Sequence, residues 1–137
     1  MPHVVIVEDD KMNARLFQVV LERRGGFQVT VTEDTVELLR LVNEQSVDLI
    51  IMDVSLANSR YEGKPIDGLQ ITRKIKDNPL TSDVPVILTT AHAMRGDRER
   101  FLLESKADDY MAKPILDQAG LLENVRKLIK KRETARG

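Results

Sequence analysis

The stretch VDLIIMD at residues 47–53 decides the fold predicted for this chain. Its apolar residues follow one another without alternation, which is typical of a strand that a parallel sheet buries on both faces. Asp53 stands where this strand should end. A carboxylate in that position either caps a turn or helix, or serves as a reactive group held on a rigid strand. The ends of the other strands decide between these two interpretations.

Four further stretches have the composition of strands, and segments with helical periodicity separate them. Strands are predicted at residues 3–7, 27–32, 84–90 and 108–112, and helices at 11–24, 34–45, 68–77, 92–105 and along a last apolar face from 121 to 129. Strands separated by helices must be parallel, and right-handed crossovers place the helices on both faces of the sheet. The predicted fold class is α/β, a doubly wound five-stranded parallel sheet in the flavodoxin-like order 2-1-3-4-5.

The same periodicity predicts which side chains face the core and which residues cap helices. The inward faces of the first, second and fourth helices are predicted to include Met12, Val36 and Met94. Three aspartates are predicted N-caps: Asp10, Asp34 and Asp67. His3 is expected on the surface. The solvated face of the last helix is expected to carry its basic residues: Arg126, Lys127, Lys130, Lys131 and Arg132.

The length of 137 residues suits one domain, predicted over residues 1–137 with a core at about 3–130 and a short basic tail at 131–137. The absence of cysteine excludes a disulfide framework and a thiolate metal site. A net charge of −1 requires neither nucleic acid nor a membrane surface as a partner. No apolar run approaches the ~18 residues of a membrane span and no signal peptide is recognisable, so a cytoplasmic protein is expected.

Polar groups collect at the carboxyl ends of the strands, where doubly wound sheets bind their ligands. Glu8 and Asp9 follow the first strand, and Asp53, Thr90 and Lys113 end three others. Three carboxylates in one cleft raise each other's pKa unless a cation joins them, and hard oxygen ligands favour Mg²⁺ over zinc or copper. A carboxylate, a metal, a hydroxyl and an ammonium together suit phosphoryl transfer to an aspartate, with Asp53 attacking in line.

Four stretches resemble the receiver domain of two-component response regulators, in particular its stand-alone, chemotaxis-regulator-like members. They are VEDD at 7–10, DLIIMD at 48–53, PVILTTA at 85–91 and ADDYMAKP at 107–114. They occur in the family's order and with its spacing, except between residues 54 and 67. The resemblance covers residues from about 3 to 130, and the four motifs together are highly specific.

The resemblance implies that Asp53 is the phosphoacceptor. Glu8, Asp9 and Asp53, with the backbone carbonyl of Ser55, would hold Mg²⁺. Thr90 would donate its hydroxyl to the phosphoryl group and Lys113 would pair with that group.

The resemblance also implies two conformational features. The peptide between Lys113 and Pro114 is usually cis in the family. Tyr110 matches the family's aromatic switch position, expected to turn inward as Thr90 moves toward the phosphate; from its residues alone it is a half-buried packing aromatic.

The partners implied are a histidine kinase or histidine phosphotransfer protein and a downstream protein target. We expect no output domain after residue 132, so partner binding is the expected output. It would use the surface of the fourth helix (helix 4), the last predicted strand (strand 5) and the last helix (helix 5). The same elements could form a homodimer, since Asp108, Asp109 and Arg126 resemble charged positions that some regulators use to dimerise. Binding of nucleic acid is the weaker alternative, because no aromatic residues interleave with the basic residues of the last helix.

Catalysis would be limited to the protein's own phosphorylation and slow dephosphorylation, so we do not expect an enzyme. Two other classes of function remain open. A Mg²⁺-dependent phosphatase with an aspartate nucleophile would need a second acid two residues beyond Asp53, where Ser55 stands. A receiver that acts as a phosphorylation-independent interaction module would not need the complete set of site residues.

The segment between Ser55 and Gly68 is about seven residues longer than in compact family members and is predicted as a loop over residues 54–65. It is either a tolerated surface insertion or a segment that recognises a kinase or gates the phosphate with Arg60, Tyr61 and Lys64. His92, two residues beyond Thr90, either caps the fourth helix or orients a water molecule.

Overall fold

The computed structural model describes residues 1–56, 59–91 and 93–136. Its main sheet has five strands: β1 His3–Val7, β2 Gln28–Thr32, β3 Leu49–Asp53, β6 Val86–Thr90 and β7 Asp109–Ala112. They are all parallel and lie in the order β2-β1-β3-β6-β7, which confirms the predicted flavodoxin-like order. Between β3 and β6, the predicted loop instead contains a two-stranded antiparallel hairpin of β4 Arg60–Tyr61 and β5 Lys64–Pro65.

Helices cover both faces of the sheet, as predicted. They are α1 Lys11–Val19, continued by a π-helical turn at Val20–Arg24, then α2 Thr35–Asn43, α3 Gly68–Asp77, α4 Asp97–Ser105 and α5 Gln118–Arg136. Alternate residues of each strand point to opposite faces. In β3, Ile50 and Met52 pack in the core with α2 and α3, whereas Leu49 and Ile51 pack with α1 and α5. Among the helices of the described residues, none combines the length and hydrophobicity needed to cross a bilayer.

Three aspartates cap helices, as predicted. The carboxylates of Asp10 and Asp34 each accept hydrogen bonds from two backbone N–H groups in the first turns of α1 and α2. Asp67 caps α3 in a reciprocal capping box with Gln70. Each carboxylate satisfies N–H groups that a helix otherwise leaves unpaired and lies at the positive end of the helix dipole. These caps fix where three helices leave the edge of the sheet.

The predicted inward faces are wrong at the first turns of two helices. Met12 is 83% exposed and Val36 is 62% exposed. The buried stripe of α1 begins with Ala14 and that of α2 with Thr35 and Leu38. Helical periodicity defines an apolar face, but the position of the sheet decides which turns of that face are covered.

The fourth helix begins later than predicted. Its first residue is Asp97, and its N-cap is Gly96, which has a φ of +86° and provides no side chain for capping. Met94, predicted on the inner face, therefore precedes the helix and is 73% exposed. Because Gly96 adopts a left-handed conformation, the helix cannot extend to the residues before it. The predicted role of His92 as a cap of this helix lies outside the described residues.

His3 is buried, which contradicts its predicted surface position. Its imidazole lies between the carbonyl oxygen of Ser46 and the hydroxyl oxygen of Thr30, at 2.6 and 2.7 Å. Its backbone N–H donates to the carboxylate of Asp48 at 2.7 Å. These contacts join β1 to β2 and to the residues before β3, at the amino ends of the strands.

The last helix also departs from the prediction. Residues 131–136, expected as a short tail, continue α5, and Arg132 is buried rather than on the solvated face. The Arg132 guanidinium donates to the carbonyl of Val47 at 2.9 Å and pairs with the carboxylate of Asp83 at 3.4 Å. Arg136 pairs with the same Asp83 at 2.6 Å. The end of α5 is thereby tied to the start of β3, which the sequence periodicity could not show.

Replacing Arg132 with Ala should lower the free energy of unfolding by about 2 kcal/mol, because it removes the ion pairs of a buried guanidinium and leaves the Val47 carbonyl unpaired. The expected loss is below that of a fully buried ion pair, since the side chain of Asp83 is 40% exposed and keeps Arg136. Urea denaturation measures it. Lys130→Ala, at an exposed position of the same helix, is the control and should change stability by less than about 0.5 kcal/mol. Equal effects of the two substitutions would contradict the anchoring role of Arg132.

Candidate active site

The carboxyl ends of four strands bring together the residues predicted to carry the chemistry. Ligand oxygens of Glu8 and Asp9, after β1, and of Asp53, at the end of β3, all lie within 4.8 Å of one another. The Lys113 ammonium, just after β7, lies 2.7 Å from Glu8 Oε1 and 3.3 Å from Asp53 Oδ1. Thr90, the last residue of β6, is also buried at this edge of the sheet. The spatial cluster expected from the strand ends is therefore present.

The site is largely shielded from water. Glu8, Asp53 and Thr90 are each no more than 5% exposed, and the side chain of Lys113 is 6% exposed. Asp9 is half-buried and forms the open side of the cluster. Electrostatic interactions in such a place are stronger than on the surface, because little water screens them.

Burial, together with a hydrogen bond and the charge of Glu8, raises the pKa of the Asp53 carboxyl from 3.8 to about 7. The Lys113 ammonium and the backbone N–H of Ser55, which donates to Asp53 Oδ1 at 3.2 Å, act in the opposite direction. One ammonium does not neutralise the neighbouring carboxylates. The cluster consequently favours a further cation, which would return Asp53 to its ionised form.

Lys113 remains an ammonium in this site. Burial works against its charge, but the hydrogen bond to Glu8 and the charges of Asp53 and Glu8 outweigh that effect and raise its pKa. The peptide between Lys113 and Pro114 is cis, as the family resemblance implied. The Lys113 N–H donates to the carbonyl of Thr90 at 2.8 Å, so the predicted hydroxyl and ammonium groups are linked through the backbone.

Tyr110 is half-buried and packs on Phe101, with 6.0 Å between ring centroids and a tilt of 53°. Its hydroxyl is buried, and within the described part of the chain it has no hydrogen-bond partner. Burial, with the charge of Asp97, raises the pKa of this phenol. The packing role deduced from the residues is present in the structure, and the switch role stays a prediction.

A family model of the response regulator receiver domain matches residues 4–126. The chain belongs to this family. Among curated proteins, it is 37% identical over 112 residues to the polar-differentiation response regulator DivK of Brucella anthropi, covering 82% of this chain and 84% of that protein. Receiver domains are signalling modules of two-component systems, with a histidine kinase upstream and protein targets downstream.

Solved structures are similar over almost the whole chain. The receiver domain of the sensor histidine kinase PA1611 from Pseudomonas aeruginosa PAO1, solved with magnesium coordinated in its active-site cleft, is 30% identical with a TM-score of 0.76, covering 94% of this chain and 98% of that one. The receiver domain of Francisella response regulator 1452 is 26% identical with a TM-score of 0.77, covering 96% and 98%. These similarities agree with the topology of the main sheet.

Of the three side chains proposed to recognise a kinase or gate the phosphate, only Tyr61 points toward the core. Tyr61 is half-buried against the core between α2 and α3, and the Lys74 ammonium lies 4.9 Å from the centre of its ring. Arg60 and Lys64 are exposed. Tyr61 therefore anchors the hairpin, whereas the two cations remain accessible to a partner.

Two of the three charges considered for dimerisation, those of Asp108 and Asp109, are engaged within the chain. Asp108 accepts from the Lys76 ammonium and the N–H of Val86. Asp109 accepts from Arg98 and Asn124, at 3.1 and 3.0 Å. These bonds join α3, α4, β6, β7 and α5, and the homodimer stays a prediction.

Gly68 is a site neighbour that the sequence reasoning overlooked. A Cβ atom at this residue would lie 2.0 Å from the carbonyl oxygen of Asp53. The available signal was a glycine directly after the Asp67 cap, at the first position of a helix, where glycine has no advantage for helix formation.

The raised pKa of Asp53 predicts a pH-dependent stability. The folded chain holds this proton more tightly than the unfolded chain, whose pKa is near 3.8, so the free energy of unfolding should fall as the pH rises from about 4 to about 7. Asp53→Asn removes this loss and should stabilise the protein by about 2 kcal/mol at pH 8 in metal-free buffer, less than the full shift because Lys113 loses one partner. At pH 4 the gain should vanish. Urea denaturation with chelator at both pH values measures it, and an equal gain at both would contradict the assignment.

Proposed function

We propose that this chain is a phosphoacceptor that takes a phosphoryl group from a phosphohistidine of a kinase or phosphotransfer partner onto Asp53. The observation that carries the proposal is the cluster itself. A buried carboxylate stands beside two others and within 3.3 Å of a lysine ammonium, at the rigid end of the central strand. This arrangement provides a nucleophile and a counter-charge for an anionic group.

The donor set fits Mg²⁺. All three side-chain ligands are carboxylates, the hard oxygen donors that Mg²⁺ prefers. Burial, and then the hydrogen bond and charge of Glu8, raise the pKa of Asp53, so a cation bound here would favour its ionised form. Glu8, Asp9 and Asp53 would hold the ion with the backbone carbonyl of Ser55. When bound, Mg²⁺ supplies positive charge to the carboxylates and to the phosphoryl oxygens. The magnesium in the receiver domain of PA1611 supports this choice of ion.

The transfer is a single displacement at phosphorus. An Asp53 carboxylate oxygen forms the new P–O bond while the P–N bond to the donor imidazole breaks. The imidazole, protonated on its other nitrogen, keeps the electron pair of that bond and leaves as the neutral ring. Lys113 pairs with a phosphoryl oxygen and Thr90 donates its hydroxyl to another, so charge is neutralised where it concentrates.

The surface of α4, β7 and α5 is the proposed output. Thr90 ends β6 directly before the segment that leads to α4, and its carbonyl bonds the N–H of Lys113 after β7. A movement of Thr90 toward a phosphoryl group would therefore shift both the segment that leads to α4 and the residues after β7. Tyr110, whose hydroxyl lacks a hydrogen-bond partner among the described residues, would lose no hydrogen bond if it changed its position in response. A downstream protein would distinguish the two states of this surface.

Phosphorylation is tested with phosphoramidate, a small P–N donor that mimics phosphohistidine, in the presence of Mg²⁺. Intact mass should rise by about 80 Da, one phosphoryl group. Asp53→Asn should show no adduct, and omission of Mg²⁺ should slow its formation at least about tenfold, since charge neutralisation is lost. Asp77→Asn, at an exposed carboxylate on α3, is the matched control and should form the adduct like the wild type.

Two other outcomes would overturn the proposal in different ways. Repeated turnover of a phosphoester such as p-nitrophenyl phosphate, without a persistent adduct, would identify a phosphatase. No adduct with phosphoramidate, acetyl phosphate or a phosphorylated histidine phosphotransfer domain would identify a phosphorylation-independent interaction module.

A further inference from the structure

Gly68, the first residue of α3, lies directly against the end of the phosphoacceptor strand. A Cβ atom built on its backbone would lie 2.0 Å from the carbonyl oxygen of Asp53 and 2.9 Å from its carbonyl carbon. Both distances are far inside the about 3.5–4.0 Å at which nonbonded carbon atoms pack. The obstacle is backbone, which cannot rotate away as the end of a flexible side chain could.

Hydrogen bonds hold both sides of this contact. The N–H of Gly68 donates to the carbonyl of Val54 at 3.1 Å, and the hydroxyl of Thr72 donates to the carbonyl of Gly68 at 2.7 Å. On the other side, the N–H of Val54 donates to the carbonyl of Thr89 at 2.9 Å. A side chain at residue 68 could therefore be accommodated only if α3 and the turn after β3 moved apart.

That turn contains the proposed chemistry. Asp53 carries the nucleophile, and Ser55 both donates its N–H to the Asp53 carboxylate and offers the carbonyl proposed as a metal ligand. The backbone of Gly68 lies so close to the Asp53 carbonyl that a Cβ atom would overlap it. Pressure on the Asp53 carbonyl would displace its carboxylate relative to Glu8 and Lys113.

The hairpin insertion is attached to the same segments. The chain leaves Asp53 through Val54 and returns to Gly68 through Ile66, whose N–H bonds the carbonyl of Ser59 at 3.1 Å. The hydroxyl of Ser59 donates to the carbonyl of Glu33, just before α2. The contact at Gly68 therefore closes the base of the insertion onto the strand, so that the added residues do not loosen the turn.

We infer that Gly68 is a positioning residue: its lack of a side chain seats α3 on the Asp53 carbonyl and thereby sets the Asp53 carboxylate and the Ser55 carbonyl for metal binding and phosphoryl transfer. This inference rests on the proposed function.

The test compares Gly68→Ala with Gly25→Ala. A Cβ atom at Gly25 would also meet backbone, 2.7 Å from the Leu21 carbonyl oxygen, but in the turn between α1 and β2. Both substitutions should lower stability. At a temperature where both variants are folded by circular dichroism, only Gly68→Ala should weaken Mg²⁺ binding, by about tenfold in isothermal titration calorimetry, as supporting groups around metal ligands do. Phosphorylation of this variant should remain slower at saturating Mg²⁺.

A milder pair of variants covers the case in which Gly68→Ala does not fold. Thr72→Val removes the hydroxyl bond to the Gly68 carbonyl, and Thr81→Val removes the same kind of bond, to the Ile75 carbonyl, near the other end of α3. Both threonines are buried. Only Thr72→Val should weaken Mg²⁺ binding, by about two- to threefold, because its expected effect is a loosened contact rather than a clash.

The outcomes separate this inference from the proposed function. If the wild type forms the adduct and binds Mg²⁺, but Gly68→Ala and Thr72→Val bind it as tightly as their controls, the positioning role is wrong and the phosphoacceptor stands. If the wild type neither binds Mg²⁺ nor forms the adduct, the proposed function fails, and the positioning role fails with it. Weakened binding in the controls as well would show a general effect of stability and would also refute the positioning role.

Discussion

The parallel pairing of β3 with β1 on one side and with β6 on the other is the constraint on which the rest of the structure depends. Val7, Met52 and Leu88 lie side by side in this register. Three strands therefore end at one level and deliver their terminal polar groups to one cleft. The strands are wholly buried, and a slip by one residue would turn each side chain to the other face of the sheet. Core packing thus fixes the geometry of the site.

The cleft concentrates charge at a cost to folding. Glu8 and Asp53 are buried together, and burial, with the hydrogen bond and charge of Glu8, raises the pKa of Asp53 despite the opposing charge of Lys113. A buried carboxylate that repels its neighbour destabilises the folded chain, and a bound cation would relieve the repulsion. The free energy that the repulsion takes from folding would be regained when a cation binds. Capping, the core and the anchored end of α5 supply the stability that this arrangement requires.

The insertion after β3 lies directly beside the candidate site and is held to the rest of the chain. Tyr61 anchors it in the groove between α2 and α3, and its base is bonded at Ser59 and Gly68. Local strand pairing sets Arg60 opposite Pro65 and Tyr61 opposite Lys64 within the insertion, and the added length leaves the order of the main sheet unchanged. Its exposed cations, Arg60 and Lys64, remain where a partner that approaches α2 or α3 could meet them.

Sequence patterns were enough to predict the order of elements, the fold class and the residues that gather at the strand ends. Buried strands and amphipathic helices leave strong periodic signals, and parallel strands end at a shared edge. Tertiary structure alone decided what depends on distant neighbours: the burial of His3 and Arg132, the exposure of Met12, and the contact of Gly68 with Asp53. Periodicity describes one segment at a time and cannot show a contact such as that of Arg132 with the carbonyl of Val47, 85 residues away. The hairpin was missed because its strands have two residues each, too few for a pattern.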